Sequence, residues 1–382
     1  MKVLFCHDGP INKNKAGVLF SIGFNDSIMD RYSNVFNKIT IATRVRKTKE
    51  STKTIKKSQI LSKKYGVVEC PNMSTFKSIF LERFKCKKIL RSAILNNDAA
   101  IIRLPSFIGN VAIDVCEELK KPYIVELVGC PWDSLRNHSF VGGIIAPLMY
   151  FKTKKRVKRS KYVIYVTNSF LQKRYPTNGE SISCSDVELP QMSYKKPKNK
   201  NIKDHMILGT IGVLDIKYKG QEYVFRAIKE LKKHNRNIKY SLVGSGDKQM
   251  LQSKALKLGI EDSIEIIGVL SHEEIFKWLE SIDIYIQPST TEGMPRGLIE
   301  AMSASKVCCA SNVGGMPELL DGKFIFTSKK SKEIYRILNG LTQKEYEEQT
   351  VANYNKSREF NKNTLDKKRM SFLRDFKKAN KK

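Results

Sequence analysis

Two glutamates frame the stretch "STTEGMPRGLIEAM", residues 289 to 302. Glu292 stands before Gly-Met-Pro, and Glu300 follows after seven intervening residues. Carboxylates accept hydrogen bonds from hydroxyl groups well. The chain between them adds a second ingredient. "SIDIYIQPS", residues 281–289, is a short alternating apolar run and reads as a strand. "EGMP" is turn material, and Pro295 suits the first turn of a helix. "RGLIEAMSAS" then spaces Leu298, Ile299 and Met302 as a helix does. A tight turn into a helix start presents free backbone N–H groups and the positive end of the helix dipole, which together bind anions. Phosphate-binding amides between two carboxylates suit a ligand that carries both phosphates and hydroxyls, as a nucleotide sugar does. The competing reading is two solvated glutamates on a surface helix, so the surroundings must decide.

The elements that hold this turn recur along the chain. In the first half "KVLFC", "ITIATRV", "AAIIRLP", "PYIVELVG" and "YVIYVT" read as strands, with helical stretches such as 17–31 and 109–121 between them. The second half repeats the alternation: "MILGTIGVL", helix 220–235, "IKYSLVGSG", helix 247–258, "SIEIIGVL", helix 272–280, "IDIYIQPS", helix 295–304 and "VCCASNVGG". Ser271 and Glu274 form a capping-box pattern at the start of 272–280. The polar, charged run "YKKPKNKNIKDH", residues 194–205, reads as a linker. The expected fold class is α/β, with two doubly wound, Rossmann-like domains facing a cleft. The expected division is 1–195, 205–345, and a helical, basic segment 346–382 whose helix, 344–378, can return to the first domain. Ligands of such sheets lie beyond the carboxyl ends of the strands. Glu292 and the Gly244–Gly246 turn fall at such ends.

Composition sets further bounds. A chain of 382 residues exceeds one ordinary core. No apolar run reaches the roughly 18 residues of a membrane-spanning helix, and "MKVLFCHDGP" reads as a buried strand rather than a signal peptide. Eight scattered Cys without C-x-x-C pairs fit reduced cytosolic thiols. Five His, none at metal-ligand spacing, argue against a metal centre. Net charge is +31, and residues 1–200 carry most of it, with 37 Lys/Arg against 15 Asp/Glu. That imbalance favours an anionic partner: nucleic acid, an anionic membrane or a phosphorylated substrate.

Four features of the second half occur in order: "IGVLDIKYKGQEYVFRAI", "LVGSGD", "IGVLSHEEI" and "PSTTEGMPRGLIEAM". Together they resemble the retaining nucleotide-sugar glycosyltransferases of family 4, which have the two-domain GT-B fold. "EGMPRGLIE" matches the E-x7-E motif of that family, and "NVGGMPELL" matches the segment after it. "HDGPINKNKAG", "ATRV" and "VELVGCPWDSL" look more loosely like the bacterial capsule and exopolysaccharide branch. The resemblance implies that Glu300 holds the ribose hydroxyls of the nucleotide. Glu292, with the amides around the stretch Gly293, Met294, Pro295 and Arg296, would hold the donor sugar. Lys219 would stabilise charge on the leaving diphosphate. Gly297 and Leu298 would bring amides to the phosphates. Residues 268–272, Val269 among them, would frame the base beside the Gly244 turn. Gly17 would let backbone approach the diphosphate from the other domain.

Two positions depart from the family pattern. Val213 stands where an Arg is common, leaving Lys217 or Arg226 to compensate. No His occupies the place near the reacting sugar, since His7 and His138 do not match it; we assign that role to Asp133 with Trp132. A helix N-cap before "SLRNHS" is the alternative role for Asp133. The resemblance implies a UDP-sugar donor, a glycan or lipid-linked acceptor, and no metal or other cofactor, in keeping with the absence of an Asp-x-Asp triplet. "SFVGGIIAPLMYFKTKKRVKRSK", residues 139–161, joins an apolar half to seven Lys/Arg in ten residues. That pattern suits an anionic membrane surface and a cytoplasmic enzyme peripheral to the inner face of the plasma membrane; a core helix with a solvated basic face is the alternative. Two other functions compete: a nucleotide-sugar epimerase on the same fold, and a nucleic-acid binder. The second lacks any recognisable binding motif.

Overall fold

The structure is a computed structural model. It describes residues 1–21, 25–48, 60–73, 78, 81–138, 140–187, 189–196 and 201–381. Two parallel sheets dominate it. The first has seven strands in the order Glu180–Ser183, Tyr162–Tyr165, Tyr123–Leu127, Ala99–Leu104, Lys2–Cys6, Lys38–Thr43, Gly66–Glu69. The second has six: Ile264–Gly268, Ile238–Val243, Met206–Ile211, Ile284–Gln287, Val307–Ser311, Ile325–Phe326. Every pairing within these two sheets is parallel. Central strands such as Val307–Ser311 are buried along their whole length, as expected where helices cover both faces of a sheet. Two doubly wound α/β domains face each other, as the alternation anticipated, in the GT-B architecture that the resemblance implied.

Local chemistry explains where elements start. Ser271 accepts from the Glu274 N–H, and the Glu274 side chain accepts from the Ser271 N–H, so the anticipated capping box is formed at His272–Ser281. Two expectations fail. Residues 17–31 are not one helix. The Asn14 side chain accepts from the Val18 N–H, and Gly17 adopts φ +79°. These turn the chain into a hairpin between Ile11–Lys13 and Leu19–Phe20, and the helix begins only at Asp26–Ser33, capped by Asn25. Residues 344–378 are likewise two helices, Gln343–Ser357 and Lys362–Ala379. Asn361 is extended between them and caps the second.

The Lys362–Ala379 helix returns to the first domain. Its Phe372 and Phe376 pack on Tyr162, and Phe376 also on Phe36. Arg369, 3% exposed, donates to the Ser185 carbonyl at 2.7 Å and faces Asp186. Asp186 also pairs with Arg31 and Arg103, and Arg103 with the buried Glu126. Leu189 and Asn361 form a bridge, so the two crossings between domains run side by side.

Candidate functional site

The floor of the site is strand Ile284–Gln287, fully buried. Its end is tied by a polar relay. Tyr285 OH donates to Gln287 Oε1 (2.8 Å), and Gln287 Nε2 donates to Ser289 Oγ (2.9 Å) and to Glu292 Oε1 (3.3 Å). A second support comes from the turn Lys217–Lys219, whose Tyr218 carbonyl accepts the Thr290 N–H at 2.7 Å. The turn ends at Gly220, with φ +75°; a Cβ there would stand 2.1 Å from the Pro288 carbonyl oxygen. This close approach brings Lys219 to Glu292: Nζ donates to Oε1 at 2.7 Å, with both side chains mostly buried.

The Arg296–Ser303 helix follows, with Pro295 at its N-cap and no side chain capping it. Its first N–H groups therefore remain available to an anion. Gly297 fits only because it lacks a side chain, since a Cβ would stand 2.6 Å from Tyr285 OH. Leu298 points into the core. Glu300, 8% exposed, has its carboxyl pushed above the ordinary range by burial, which the positive charges of Arg296 and His272 oppose. His272 Nε2 lies 3.9 Å from Glu300 Oε1. Val269 is exposed just before the His272–Ser281 helix, at the end of Ile264–Gly268. Gly244 packs on the Gly212 carbonyl, where a Cβ would stand at 1.9 Å. Lys217, Gly244, Val269 and Glu300 thus lie at or beyond carboxyl ends of second-domain strands.

The first domain closes on this turn. A Cβ at Gly293 would stand 2.1 Å from the Val128 carbonyl oxygen, and Asn137 Nδ2 donates to the Thr290 carbonyl at 3.2 Å. Met294 packs among apolar residues that include Val128. Gly17 sits in the hairpin turn with open space around it.

Other expectations resolve differently. Arg226 is exposed and pairs with Glu222 of its own helix, 3.9 Å away. Asp133 lies in the first turn of Pro131–His138, not at its cap, and its carboxylate is engaged by Arg174 at 2.7 Å. It lines a cavity of about 700 Å³ between the domains, with Tyr150, Phe170, Lys173, Thr290, Gly314 and Glu318 among the walls. Trp132 packs edge-on against Tyr150. His7 accepts from the Gly9 N–H, and burial with Arg103 and Arg44 nearby lowers its pKa to about 3, so it stays neutral. Gln287, Tyr285 and Glu318 carry site geometry that sequence reasoning did not single out, while His272 closes the 268–272 stretch assigned to the base. "NVGGMPELL" held Glu318 in plain view.

In Phe140–Arg159 the basic residues divide. Arg156 and Arg159 pair with Asp114 and Glu117 of the first domain, while Lys152, Lys155 and Lys158 are exposed. Val141, Ile144, Leu148 and Phe151, spaced three, four and three residues apart, are all more than half exposed and share one helix face. Among the described residues no helix is long and apolar enough to cross a membrane.

Residues 193–359 match the family model for glycosyl transferases group 1. Protein CapJ of Staphylococcus aureus is 31% identical over 364 residues, spanning 94% of this chain and 90% of CapJ. The chain belongs to the group 1 glycosyltransferases. This glycosyltransferase is also 32% identical to the amylovoran biosynthesis glycosyltransferase AmsK of Erwinia amylovora, over 27% of each chain. Among solved structures, the Anabaena HepE complex with UDP aligns at TM-score 0.64 and 16% identity, over 96% of this chain and 98% of that one. The sucrose-phosphate synthase of Thermosynechococcus elongatus aligns at TM-score 0.72 and 12% identity, over 99% and 100%. At such identities the structural likeness concerns the fold.

Proposed function

We propose that this group 1 glycosyltransferase is a retaining enzyme. It moves a sugar from a UDP-sugar to a glycan or lipid-linked acceptor during synthesis of a cell-surface polysaccharide. The observation that carries the reading is the 2.7 Å pairing of Lys219 with Glu292, beside an uncapped helix start that bears the buried Glu300. Glu300 holds the ribose hydroxyls, and the amides of Arg296, Gly297 and Leu298 meet the diphosphate. Donor binding draws Lys219 from Glu292 to the phosphates and frees Glu292 for the sugar hydroxyls. As the C1–O bond to diphosphate breaks, Lys219 and the amides stabilise the growing charge. The acceptor oxygen bonds C1 on the same face and its proton passes to the departing phosphate. The positive charge comes from the protein, so the reading requires no metal. The names of the relatives support it: HepE was solved with UDP, and AmsK is named for amylovoran biosynthesis.

A panel of UDP, GDP and ADP in a thermal-unfolding assay tests the donor. A nucleotide at 100 times its dissociation constant adds about 2.7 kcal/mol of stability, and UDP is expected to do so. No stabilisation by any of the three refutes the reading.

We further propose that the exposed face of Phe140–Arg159 rests on an anionic membrane, placing the enzyme on the inner face of the plasma membrane. The apolar stripe supplies insertion, and Lys152, Lys155 and Lys158 supply attraction of about 1 kcal/mol each near the surface. Sedimentation with anionic and neutral vesicles tests it; equal pelleting with both refutes it.

A further inference from the structure

Ser169, at the N-cap of the short Phe170–Arg174 helix of the first domain, makes no side-chain capping bond, and Thr167 Oγ1 accepts from the Leu171 N–H at 3.0 Å. A carboxylate from the other domain meets the amides at the helix start. Glu318 Oε1 accepts from the Ser169 N–H (3.1 Å) and the Phe170 N–H (2.6 Å), and Oε2 accepts from the Asn168 N–H (2.7 Å). Both carboxylate oxygens are thus used on backbone donors across the domain boundary, in charge-assisted bonds.

The turn that carries Glu318 also touches the backbone of Glu292, the residue that bears the sugar-side carboxylate. Glu318 lies in Met316–Glu318, anchored by the buried Met316. Its N–H donates to the Gly315 carbonyl, and the Gly315 N–H donates to the Gly293 carbonyl at 2.7 Å. Gly314, at φ +62°, presses on the neighbouring residue so closely that a Cβ would stand 2.3 Å from the Glu292 carbonyl oxygen. A line of contacts therefore runs from the first-domain amides through Glu318, Gly315 and Gly293 to Glu292. The line meets Lys219 only at its far end, through the Glu292 carboxylate, and none of the hydrogen bonds that make it up involves Glu300 or the Gly244 turn.

We propose that Glu318 is a positioning residue that orders the Glu292 turn when the two domains come together. Its bearing on catalysis rests on the reading of Glu292 as the sugar-binding carboxylate. Separating the domains breaks three bonds to Glu318, which releases the 314–318 segment and with it the hydrogen bond to Gly293. The turn is then complete only in the closed enzyme, so the sugar is gripped only when both domains enclose it.

Glu318→Gln tests this with no change of volume. An amide has one acceptor oxygen, so its NH2 must face an N–H donor at Asn168 or at the Ser169–Phe170 pair. Hydrogen exchange is measured on the full chain by peptide. In the variant, exchange is expected to quicken about tenfold in 166–172, 290–297 and 312–319 as local opening becomes easier, and to stay unchanged in 241–247. UDP affinity, measured by calorimetry, is expected to stay within about threefold. Faster exchange in 166–172 with none in 290–297 makes Glu318 a mere helix cap and overturns the proposal. Glu318→Ala must give the same pattern, and unchanged exchange in both variants also overturns it. With the UDP-sugar that the enzyme accepts, kcat should fall about tenfold while donor KM moves little, as for an interaction made in the closed complex. A parallel loss of UDP affinity refutes positioning. Glu292→Ala in the same assay separates the two ideas: full activity there sinks the sugar-binding role of Glu292, while the exchange pattern still decides the coupling.

Discussion

Replacing Glu300 should move stability and affinity in opposite directions. Glu300 is 8% exposed, and burial raises its carboxyl above the ordinary value of 4.5. The folded protein thus holds this proton more tightly than the unfolded chain does. The associated stability is full below the ordinary carboxyl value and is lost as pH rises through the raised folded value. Glu300→Gln has no such titration. At neutral pH the unliganded variant should be more stable than wild type, and the difference should vanish at low pH. Binding should go the other way. A carboxylate can accept from both ribose hydroxyls, whereas an amide offers one acceptor oxygen. Each hydrogen bond to a charged group contributes about 1.5–3 kcal/mol. With even one of these bonds lost, Glu300→Ala should weaken UDP by at least about 1.5–3 kcal/mol, or roughly 10- to 150-fold, and Glu300→Gln by a smaller part of that. Thermal unfolding against pH and calorimetric titration with UDP read the two effects. An unchanged UDP dissociation constant in Glu300→Ala would remove Glu300 from the nucleotide site. A Glu300→Gln variant less stable than wild type at neutral pH would show that the carboxylate is satisfied without ligand.

Further outcomes follow from the donor site and from the Phe140–Arg159 helix. Glu292→Ala should cut turnover by more than about tenfold with UDP affinity near wild type, and a fall in both refutes the separate tasks of the two carboxylates. Lys219→Ala should lower turnover most, because the charge it meets grows as diphosphate leaves; steady-state kinetics rank the variants. Val213→Arg tests whether the site lacks a second cation, since Arg226 pairs with Glu222 on its own helix and Lys217 is exposed; a clear rise in activity is expected, and no gain means Lys217 or another cation suffices. Reversing Lys152, Lys155 and Lys158 should release the protein from anionic vesicles without unfolding it. Reversing Arg156 should lower the melting temperature, because it forms an ion pair with Asp114.

The donor turn was legible because its parts are local. Strand, Pro295, helix spacing and both carboxylates lie within twenty residues, and alternating strands and helices announced the doubly wound sheets. Features that depend on distant partners were not legible. Glu318 meets amides about 150 positions away, and nothing near "NVGGMPELL" reveals them. Asp133 read as a helix cap or a sugar contact; it stands in the first turn rather than at the cap, and its ion pair with Arg174, 41 positions on, was not legible. The hairpin at Gly17 defeated the helical reading of 17–31, because one Asn side chain and one left-handed glycine outweigh apolar spacing. The basic run after residue 151 read as one charged face, yet its arginines bind the first domain and its exposed lysines do not.

The returning helix Lys362–Ala379 has a consequence for synthesis. Lys377 donates to the Val35 carbonyl across 342 positions, and Phe376 packs on Phe36 and Tyr162. The sheet that begins at Lys2 is therefore covered by residues translated after the entire second sheet. At ribosomal rates of about 5–20 residues per second, the first domain waits tens of seconds with an apolar face uncovered and with Asp186 lacking Arg369. The second domain, whose sheet ends at Phe326, is the first of the two that can finish. Nascent chains that have emerged through Ser357 but not through the Lys362–Ala379 helix should accordingly protect the second domain from protease before the first, reversing the usual order of completion.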